Sequence, residues 1–245
     1  MRYLLVLVLL LSFLQAQENK QKITIGAGPF IQTQPYKNVD NIVVPSPVVF
    51  FDNGIAYIRW SRAGVYFFGD KQEEYAWGFS LTIQPRIYGY EPSDIEGMDE
   101  RKSTWEGGLA FSAKTDKAYI EVMLLTDMLD RYESFIVKTE AGYDFEFANF
   151  SLYPSLILIY QSSDFLNYYY GVKKSEELGS RKEYIPGNGL QIGVQTYIKY
   201  PFTKNLSALI NLRVDRISNE ATQSPIVDEN YIYSGLLSLI YTFEY

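Results

Sequence analysis

The last fifteen residues of the chain, YIYSGLLSLIYTFEY, alternate between two chemically different faces. Successive side chains of a β-strand point to opposite sides of the sheet, so residues two apart share a face. One face carries Leu237 and Leu239 in its middle and aromatic rings at both ends. That arrangement is typical of a strand that crosses a bilayer, because amphipathic rings settle at the two interfaces. Its aromatic end, Tyr241, Phe243 and Tyr245, resembles the insertion signal that the barrel-assembly machinery recognises in outer-membrane barrels.

The opposite end of the chain predicts export. Residues 1–16 contain Arg2, an apolar run from Tyr3 to Leu14 and the small residue Ala16, which is the pattern of a secretory signal peptide. A membrane-spanning helix needs about 20 apolar residues, and the polar sequence from Gln15 onward begins too early for one. We therefore expect a signal peptide at 1–16 and a single barrel domain at 17–245, in the outer membrane of a Gram-negative bacterium after Sec-type export.

The composition excludes most enzyme classes. The chain has no histidine and no cysteine, whereas histidine is the usual general base near neutral pH and the commonest metal ligand. Hydrolases that pair serine or aspartate with histidine, cysteine nucleophiles and Cys/His zinc sites are thereby removed. A net charge of −7 argues against nucleic acid as a partner. We expect a protein that is not an enzyme and that uses no cofactor and no metal.

Period-2 alternation recurs along nearly the whole mature sequence, for example over 77–87 and 190–200. Short turn sequences such as Asp52-Asn53-Gly54 alternate with longer polar connections. Outer-membrane barrels have short periplasmic turns and longer external loops. The sequence therefore predicts an all-β transmembrane antiparallel barrel of about twelve strands, or ten if the weakly alternating region 55–68 is one bent strand.

The inward face of this barrel is predicted to be charged. The candidate lumen residues are Arg86, Glu106, Glu121, Lys138, Glu140, Asp144, Glu146, Arg213 and Asp215. They are consistent with a polar pore or small-solute site, but more readily with a solvated lumen in which opposite charges pair across strands. Lys138, Glu140, Asp144 and Glu146 share one strand face, which indicates a ladder of lumen charges rather than a catalytic pair. About eight strands leave room only for side chains, whereas sixteen leave a channel. A barrel of twelve strands lies between these sizes, so the sequence is consistent with either a filled or a conducting lumen.

Two external segments are further candidates. Tyr168, Tyr169, Tyr170 and Gly171 predict either the upper aromatic ring at the membrane interface or a recognition patch, and the ring is favoured. Ser224-Pro225 predicts a rigid loop that positions the final strand. The acidic external segments 91–100, 176–177 and 228–229 are consistent with a Ca²⁺ site built from carboxylate oxygens, but more readily with ordinary wet loops that contact lipopolysaccharide through divalent ions.

Several sequence landmarks resemble the MipA/OmpV family of outer-membrane proteins, over essentially the whole mature chain. They are Gly26-Ala27-Gly28-Pro29 with Pro35-Tyr36, Arg62-Ala63-Gly64-Val65-Tyr66-Phe67-Phe68, Trp105-Glu106-Gly107-Gly108, Tyr168-Tyr169-Tyr170-Gly171-Val172 with Tyr184, Ser224-Pro225-Ile226-Val227 and the closing Tyr-Thr-Phe. The chain departs from the family pattern at its end, where Glu244-Tyr245 follows.

The resemblance implies a role as a scaffold. The member that gives the family its name resembles an adaptor between a murein hydrolase and a murein synthase, and the family offers no catalytic residues. The expected partners are outer-membrane lipid and lipopolysaccharide, the barrel-assembly machinery and, through the resemblance, murein enzymes. A small-solute channel and a surface adhesin that uses loops 163–186 and 218–230 remain the alternatives.

Overall fold

The computed structural model describes residues 21–72 and 74–244. The expected signal peptide at 1–16 and Tyr245 of the expected insertion signal lie outside the described residues.

The described chain forms one antiparallel sheet of thirteen strand segments. They are β1 Lys22–Gln32, β2 Ile42–Asp52, β3 Ala56–Arg59, β4 Ala63–Lys71, β5 Tyr75–Arg86, β6 Thr104–Thr115, β7 Ala118–Asp127, β8 Phe135–Tyr143, β9 Phe145–Glu146, β10 Ser151–Gln161, β11 Gly189–Pro201, β12 Leu206–Arg216 and β13 Tyr231–Glu244.

The sheet closes into a barrel because β1 pairs with β13 as well as with β2. Segments β8 and β9 both pair with β10 and are separated only by Asp144, so they are two parts of one strand. The barrel therefore has twelve strands, which confirms the predicted number, and the alternative of ten is wrong. The weakly alternating region is resolved into β3 and β4, joined by a tight turn at Ser61.

The connections differ at the two ends of the barrel, as predicted. Short turns follow β2, β4, β6, β9 and β11, whereas the loops 87–103, 162–188 and 217–230 emerge from the opposite end. In the first turn Gly54 has a φ of 81°, a left-handed conformation that glycine adopts without strain. The side-chain oxygen of Asn53 accepts hydrogen bonds from the backbone of Ile55 and Ala56 and fixes that turn. We call the short-turn end the turn end and the other the loop end.

The outer surface of the barrel is apolar. On β13, Leu237 and Leu239 are 56 % and 58 % exposed, whereas the alternate residues Leu236 and Ile240 face inward and are buried. A water-soluble sheet hides its apolar face, so this exposed band identifies the surface as the one that meets hydrocarbon. Helices in the described part are too short or too polar to span a bilayer.

Short helices lie in the long loops at the loop end. Helix α1 spans Ser163–Tyr170, a 3-10 helix spans Lys174–Glu176 and helix α2 spans Asn219–Thr222. The hydroxyl of Ser162 accepts a hydrogen bond from the backbone of Phe165, and Ser218 caps α2 through Ala221 in the same way. These caps begin each helix at the point where its loop leaves a strand.

Candidate functional site

A lid of packed loops fills the loop end of the barrel. We define the lid as residues 33–41, 87–103, 128–134, 162–188 and 217–230. Its centre is α1, in which Phe165, Leu166, Tyr169 and Tyr170 are completely buried. The predicted aromatic ring at the membrane interface is therefore wrong for Tyr169 and Tyr170. These tyrosines belong to a helix folded over the mouth rather than to a strand that emerges from lipid.

The lid is continuous with the inner wall of the barrel. Its buried side chains form one hydrophobic cluster with inward-facing residues of β7, β8 and β10, among them Leu125, Ile136 and Ile157. The ring of Tyr132 lies 5.0 Å from that of Phe165 in an edge-to-face arrangement, and Tyr88 lies 4.9 Å from Tyr169. Side chains thus occupy the mouth of the barrel at the loop end.

Separate loops are tied together within the lid. The hydroxyl of Ser224 donates a hydrogen bond of 2.6 Å to the backbone oxygen of Tyr170. Tyr36 and Val227 form an isolated antiparallel bridge, and the ring of Tyr36 packs 5.7 Å from that of Tyr170. The hydroxyl of Ser224 also accepts a hydrogen bond from the backbone of Ile226 in its own loop. The predicted role of Ser224 and Pro225 in positioning the final strand remains a prediction. Gly171 follows the last turn of α1, where a β-carbon would meet the backbone oxygen of Asn167.

Burial changes the acidity of the lid tyrosines. Desolvation raises the pKa of Tyr36, Tyr88 and Tyr170 above the usual value for a phenol. Near neutral pH these hydroxyls are uncharged and suited to an apolar cluster.

A charged residue of the barrel supports the lid from below. Glu106 is fully buried on the lumen face of β6, pairs with Arg86 and accepts hydrogen bonds from Gln84 at 2.7 Å and Tyr132 at 3.1 Å. The guanidinium of Arg86 also lies 4.7 Å from the ring centre of Phe165. The pair therefore joins the barrel wall to α1.

Five more of the predicted lumen charges also lie in opposite-charge pairs. Glu121 contacts both Arg59, at 3.0 Å, and Arg62. Lys138 lies 3.6 Å from Glu140, which accepts a hydrogen bond from Tyr119. Arg213 donates two hydrogen bonds, of 2.6 and 2.7 Å, to Asp215. Pairing of this kind offsets the desolvation of charges on an inner wall.

Two predicted ladder residues do not join these pairs. Asp144 interrupts the strand between β8 and β9, and Glu146 is exposed at the turn end. The register of β10 with β8 and with β9 is continuous, with Ser155 opposite Gly142 and Ser151 opposite Glu146, so both carboxylates keep the face of Lys138 and Glu140. They lie near the turn-end rim because the strand ends there, and their role as lumen charges remains a prediction.

The lumen below the lid is a cavity of about 1640 Å³. Its lining includes the paired charges of the lumen together with Lys22, Lys71 and Lys114, which lie near the turn end. Since the loop end is filled by the lid, the turn end is the side on which this cavity meets solvent.

Two groups of polar lid residues were missed by sequence reasoning. Arg101 and Glu176 form a buried ion pair between two loops, although Glu176 was expected in a wet acidic segment. Asp127, at the end of β7, accepts hydrogen bonds from the backbone of Leu129 and Tyr132 and shapes the loop between them. The sequence signal for Asp127 was its position at a strand end. The pairing of Arg101 with Glu176 is evident only from three-dimensional contacts.

Comparison with known proteins gives consistent matches. The family model "MltA-interacting protein MipA" matches residues 25–243. The MltA-interacting protein of Escherichia coli strain K12 is 26 % identical over 230 residues, covering 91 % of this chain and 90 % of that protein. The putative outer membrane protein YiaT of the same strain is 22 % identical over 237 residues, covering 93 % and 94 %. These names describe interacting or outer-membrane proteins rather than enzymes.

A third relative and one solved structure extend the comparison. OmpV of Vibrio cholerae is 26 % identical over 163 residues, which cover 66 % of this chain and 63 % of OmpV. The translocator domain of the autotransporter NalP from Neisseria meningitidis has 9 % identity and a TM-score of 0.42, covering 97 % of this chain and 94 % of that domain.

Proposed function

This chain belongs to the MltA-interacting protein MipA family and is an integral protein of the Gram-negative outer membrane, and from that premise we propose that it is a non-enzymatic scaffold for murein-remodelling or other envelope machinery. The observation that carries the proposal is the lid. Packed side chains fill the external mouth, while the cavity is accessible from the turn end, which we assign to the periplasm. Such a barrel presents its accessible surface to partners inside the envelope.

The partner class follows from the family. The printed name of the Escherichia coli relative states an interaction with MltA, and we propose a murein hydrolase or synthase as the partner of this chain. The turn-end surface combines exposed rings, such as Phe147 and Phe202, with charged residues of both signs near the turns. Exposed aromatic side chains are common anchors in protein interfaces. Lipopolysaccharide around the barrel and the barrel-assembly machinery complete the proposed set of partners.

Site-specific photocrosslinking in intact cells tests the scaffold. A photoreactive amino acid is placed at Asp116, Asn149 or Lys204 in the short turns, and at Glu177 or Gly187 in the lid as matched controls. We expect murein enzymes to be captured from the turn positions and not from the lid positions. Heat-dependent mobility on gels verifies that every variant is assembled. Assembled variants that capture no murein enzyme from any turn would refute the proposal.

A small-solute channel is the second candidate, and the volume of the cavity favours it. Conduction requires that the lid opens, since its side chains fill the mouth. Planar-bilayer recording distinguishes the two functions: steady conductance of the unmodified protein would favour the channel, and its absence favours the scaffold.

A further inference from the structure

The barrel wall is incomplete beside β2. Strand β3 has only four residues and pairs with β2 only from Phe50 to Asp52. One further backbone hydrogen bond joins the nitrogen of Trp60 to the oxygen of Val49. Within the described part of the chain, the stretch from Ile42 to Val48 has a strand partner on one side only, which is β1. Since strands rise about 3.3 Å per residue, the seven residues of this open edge extend over a substantial part of the thickness of a bilayer.

Proline occupies the open edge. In a strand, the N–H and C=O groups of one residue point to the same side, and they point to opposite sides at successive residues. Val49 directs its oxygen toward the β3 side. Pro47 and Pro45 lie two and four residues before Val49, so their backbone groups point to that same side. The nitrogens of both prolines therefore point into the gap, where proline leaves no N–H without a partner.

The opposite side of the gap has the same adaptation. The top of β4, Ala63, pairs with Ile83 of β5, so Gln84 to Arg86 extend above β4. Trp105 directs its oxygen to the nitrogen of Met128 and thus away from β5, its neighbour on the other side. Pro85 pairs with Trp105, so the backbone nitrogen of Pro85 must point away from β6 and toward the gap. Prolines at both edges indicate a permanent discontinuity rather than a frayed strand. We call this gap, bounded by 44–47, 60–62 and 84–87, the wall gap.

The register places the wall gap at the depth of the hydrocarbon. Pro47 pairs with Ala27, which pairs with Leu239, and Leu239 lies in the middle of the outward apolar band of β13. Val43 is 64 % exposed on the outer face of the same edge. The β2 side of the gap therefore faces lipid chains rather than water or headgroups.

The wall gap connects to the lumen. The cavity is lined by lumen residues and also by outward-facing residues, and the outward-facing ones include Pro45, Pro47, Ile58, Val65 and Ile87. These five belong to the strands that border the gap and to the adjoining end of β5, whereas the other outward-facing lining residues, such as Trp77, Ala113 and Ile120, lie near the turn end. Val44, which has the lumen-facing parity of Val48, is 40 % exposed, whereas Val48 is fully buried.

An apolar surface lies immediately inside the gap. We define the inner patch as Phe30, Val48, Phe50, Trp60, Tyr197, Leu209 and Leu236. Trp60 lies 5.6 Å from Phe30 and 6.3 Å from Tyr197, and its indole nitrogen donates a hydrogen bond of 2.9 Å to the hydroxyl of Ser46. The inner wall is thus aromatic on the β1–β2 side and charged on the side of Glu121 and Glu140.

We propose that the wall gap is a lateral entrance through which the hydrocarbon chain of an outer-membrane amphiphile reaches the inner patch. The occupant is an acyl chain because the opening lies at hydrocarbon depth and leads to an apolar surface. A partner strand is disfavoured as the occupant, since Pro45, Pro47 and Pro85 offer no N–H groups to it. The polar end of the amphiphile faces the charged half of the lumen. This inference is independent of the scaffold function, because it concerns the wall and not the turn-end surface.

Tryptophan fluorescence tests the entrance, because the chain has three tryptophans, Trp60, Trp77 and Trp105. A variant with Trp77→Phe and Trp105→Phe retains only Trp60, in the inner patch. It is reconstituted into vesicles of phosphatidylcholine with brominated acyl chains, which quench indole on contact. We expect Trp60 to lose fluorescence to a similar degree as Trp105 does in the corresponding variant, since Trp105 lies on the outer face and is 46 % exposed.

A lumen control separates entry from quenching through the wall. Ile159 lines the cavity from β10, away from the gap, and Ile159→Trp in a background with the three native tryptophans replaced by Phe should stay bright in the same vesicles. The proposal is overturned if Trp60 stays bright while Trp105 is quenched. It is equally overturned if the tryptophan introduced at position 159 is quenched as strongly as Trp60.

A pair of neighbouring substitutions tests the route. In the background that retains only Trp60, Val44→Phe narrows the inner side of the gap and should reduce quenching by brominated chains. Val43→Phe adds the same bulk on the lipid face of the same strand and should leave quenching unchanged. Heat-dependent mobility confirms assembly of both variants, and equal quenching in both would exclude the wall gap as the route.

Discussion

Arg101 and Glu176 form a buried two-pronged ion pair that holds two loops of the lid together. One guanidinium nitrogen of Arg101 lies 2.9 and 3.1 Å from the two carboxylate oxygens of Glu176. Another donates to the backbone oxygen of Asp99, so the pair also fixes the backbone of its own loop. Both side chains are nearly inaccessible to solvent, which makes this contact sensitive to the loss of either partner.

Glu176→Ala should loosen the lid. It leaves the guanidinium of Arg101 buried without its counter-ion, a loss of about 3–5 kcal/mol for buried pairs. We expect faster proteolysis in 162–188 and the appearance of conductance in planar bilayers. Lys173→Ala is the matched control, since Lys173 and Asp99 form an exposed pair at 2.7 Å and exposed pairs contribute little. Proteolysis of the Glu176 variant at the rate of the control would refute the role of the pair.

Tyr36→Phe should leave the lid as stable as before or more stable. The hydroxyl of Tyr36 is buried and has no hydrogen-bond partner in the part of the chain described, and an unsatisfied buried group costs about 1–3 kcal/mol. Tyr132→Phe should make the lid less stable, because the hydroxyl of Tyr132 donates a hydrogen bond to Glu106. The temperature at which the compact gel band is lost measures both effects. If Tyr36→Phe lost the compact band at a lower temperature than the unmodified protein, this would contradict the view that the Tyr36 hydroxyl destabilises the lid.

High pH should destabilise the closed lid. Because burial raises the pKa of Tyr36, Tyr88 and Tyr170 in the closed lid, the closed form opposes their ionisation. Solvent-exposed tyrosine ionises near a pH of about 10, so the stability of the lid is fully present below that pH and decreases as the pH rises above it. Proteolysis of the lid as a function of pH measures this opening. Combining Tyr36→Phe with Tyr170→Phe should move the opening to higher pH.

Leu239→Arg should impair assembly of the barrel. Leu239 lies at the middle of the outward apolar band, where an arginine costs about 2–4 kcal/mol. Ser234→Arg is the control, because Ser234 faces the lumen on the same strand and lines the cavity. The amount of heat-modifiable protein in outer-membrane fractions measures assembly. Similar losses for the two variants would contradict the orientation of β13.

The barrel was predictable from local sequence because its signals are local. Side-chain alternation and turn lengths are written in neighbouring residues, so the strand number and the two unlike ends followed from them. The face of Asp144 and Glu146 also followed from the alternation, whereas their place at the rim depended on where the strand ends. Four-residue β3 was the weakest stretch of the pattern, and it is also the shortest of the twelve strands when β8 and β9 are taken as one.

The lid was not predictable because its contacts are distant in sequence. The segment Tyr168 to Tyr170 has the composition of an interfacial ring and also of a buried helix, and only its contacts with Ser224 and Tyr36 decide between them. The paired lumen charges were predictable only in part. Their inward direction followed from alternation, whereas the particular partner of each required the register of neighbouring strands.

The way in which the lid is built makes it depend on closure of the barrel. Tyr36 follows the first strand, Tyr170 precedes β11 and Val227 precedes the last strand, so their shared cluster joins residues from both ends of the chain. Contacts of such long sequence separation form late, after chain closure has brought their segments together. Native packing around Tyr170 thus depends on completion of the seam between β1 and β13. A chain in which this seam has not closed would leave α1 without its contacts to Tyr36 and Val227.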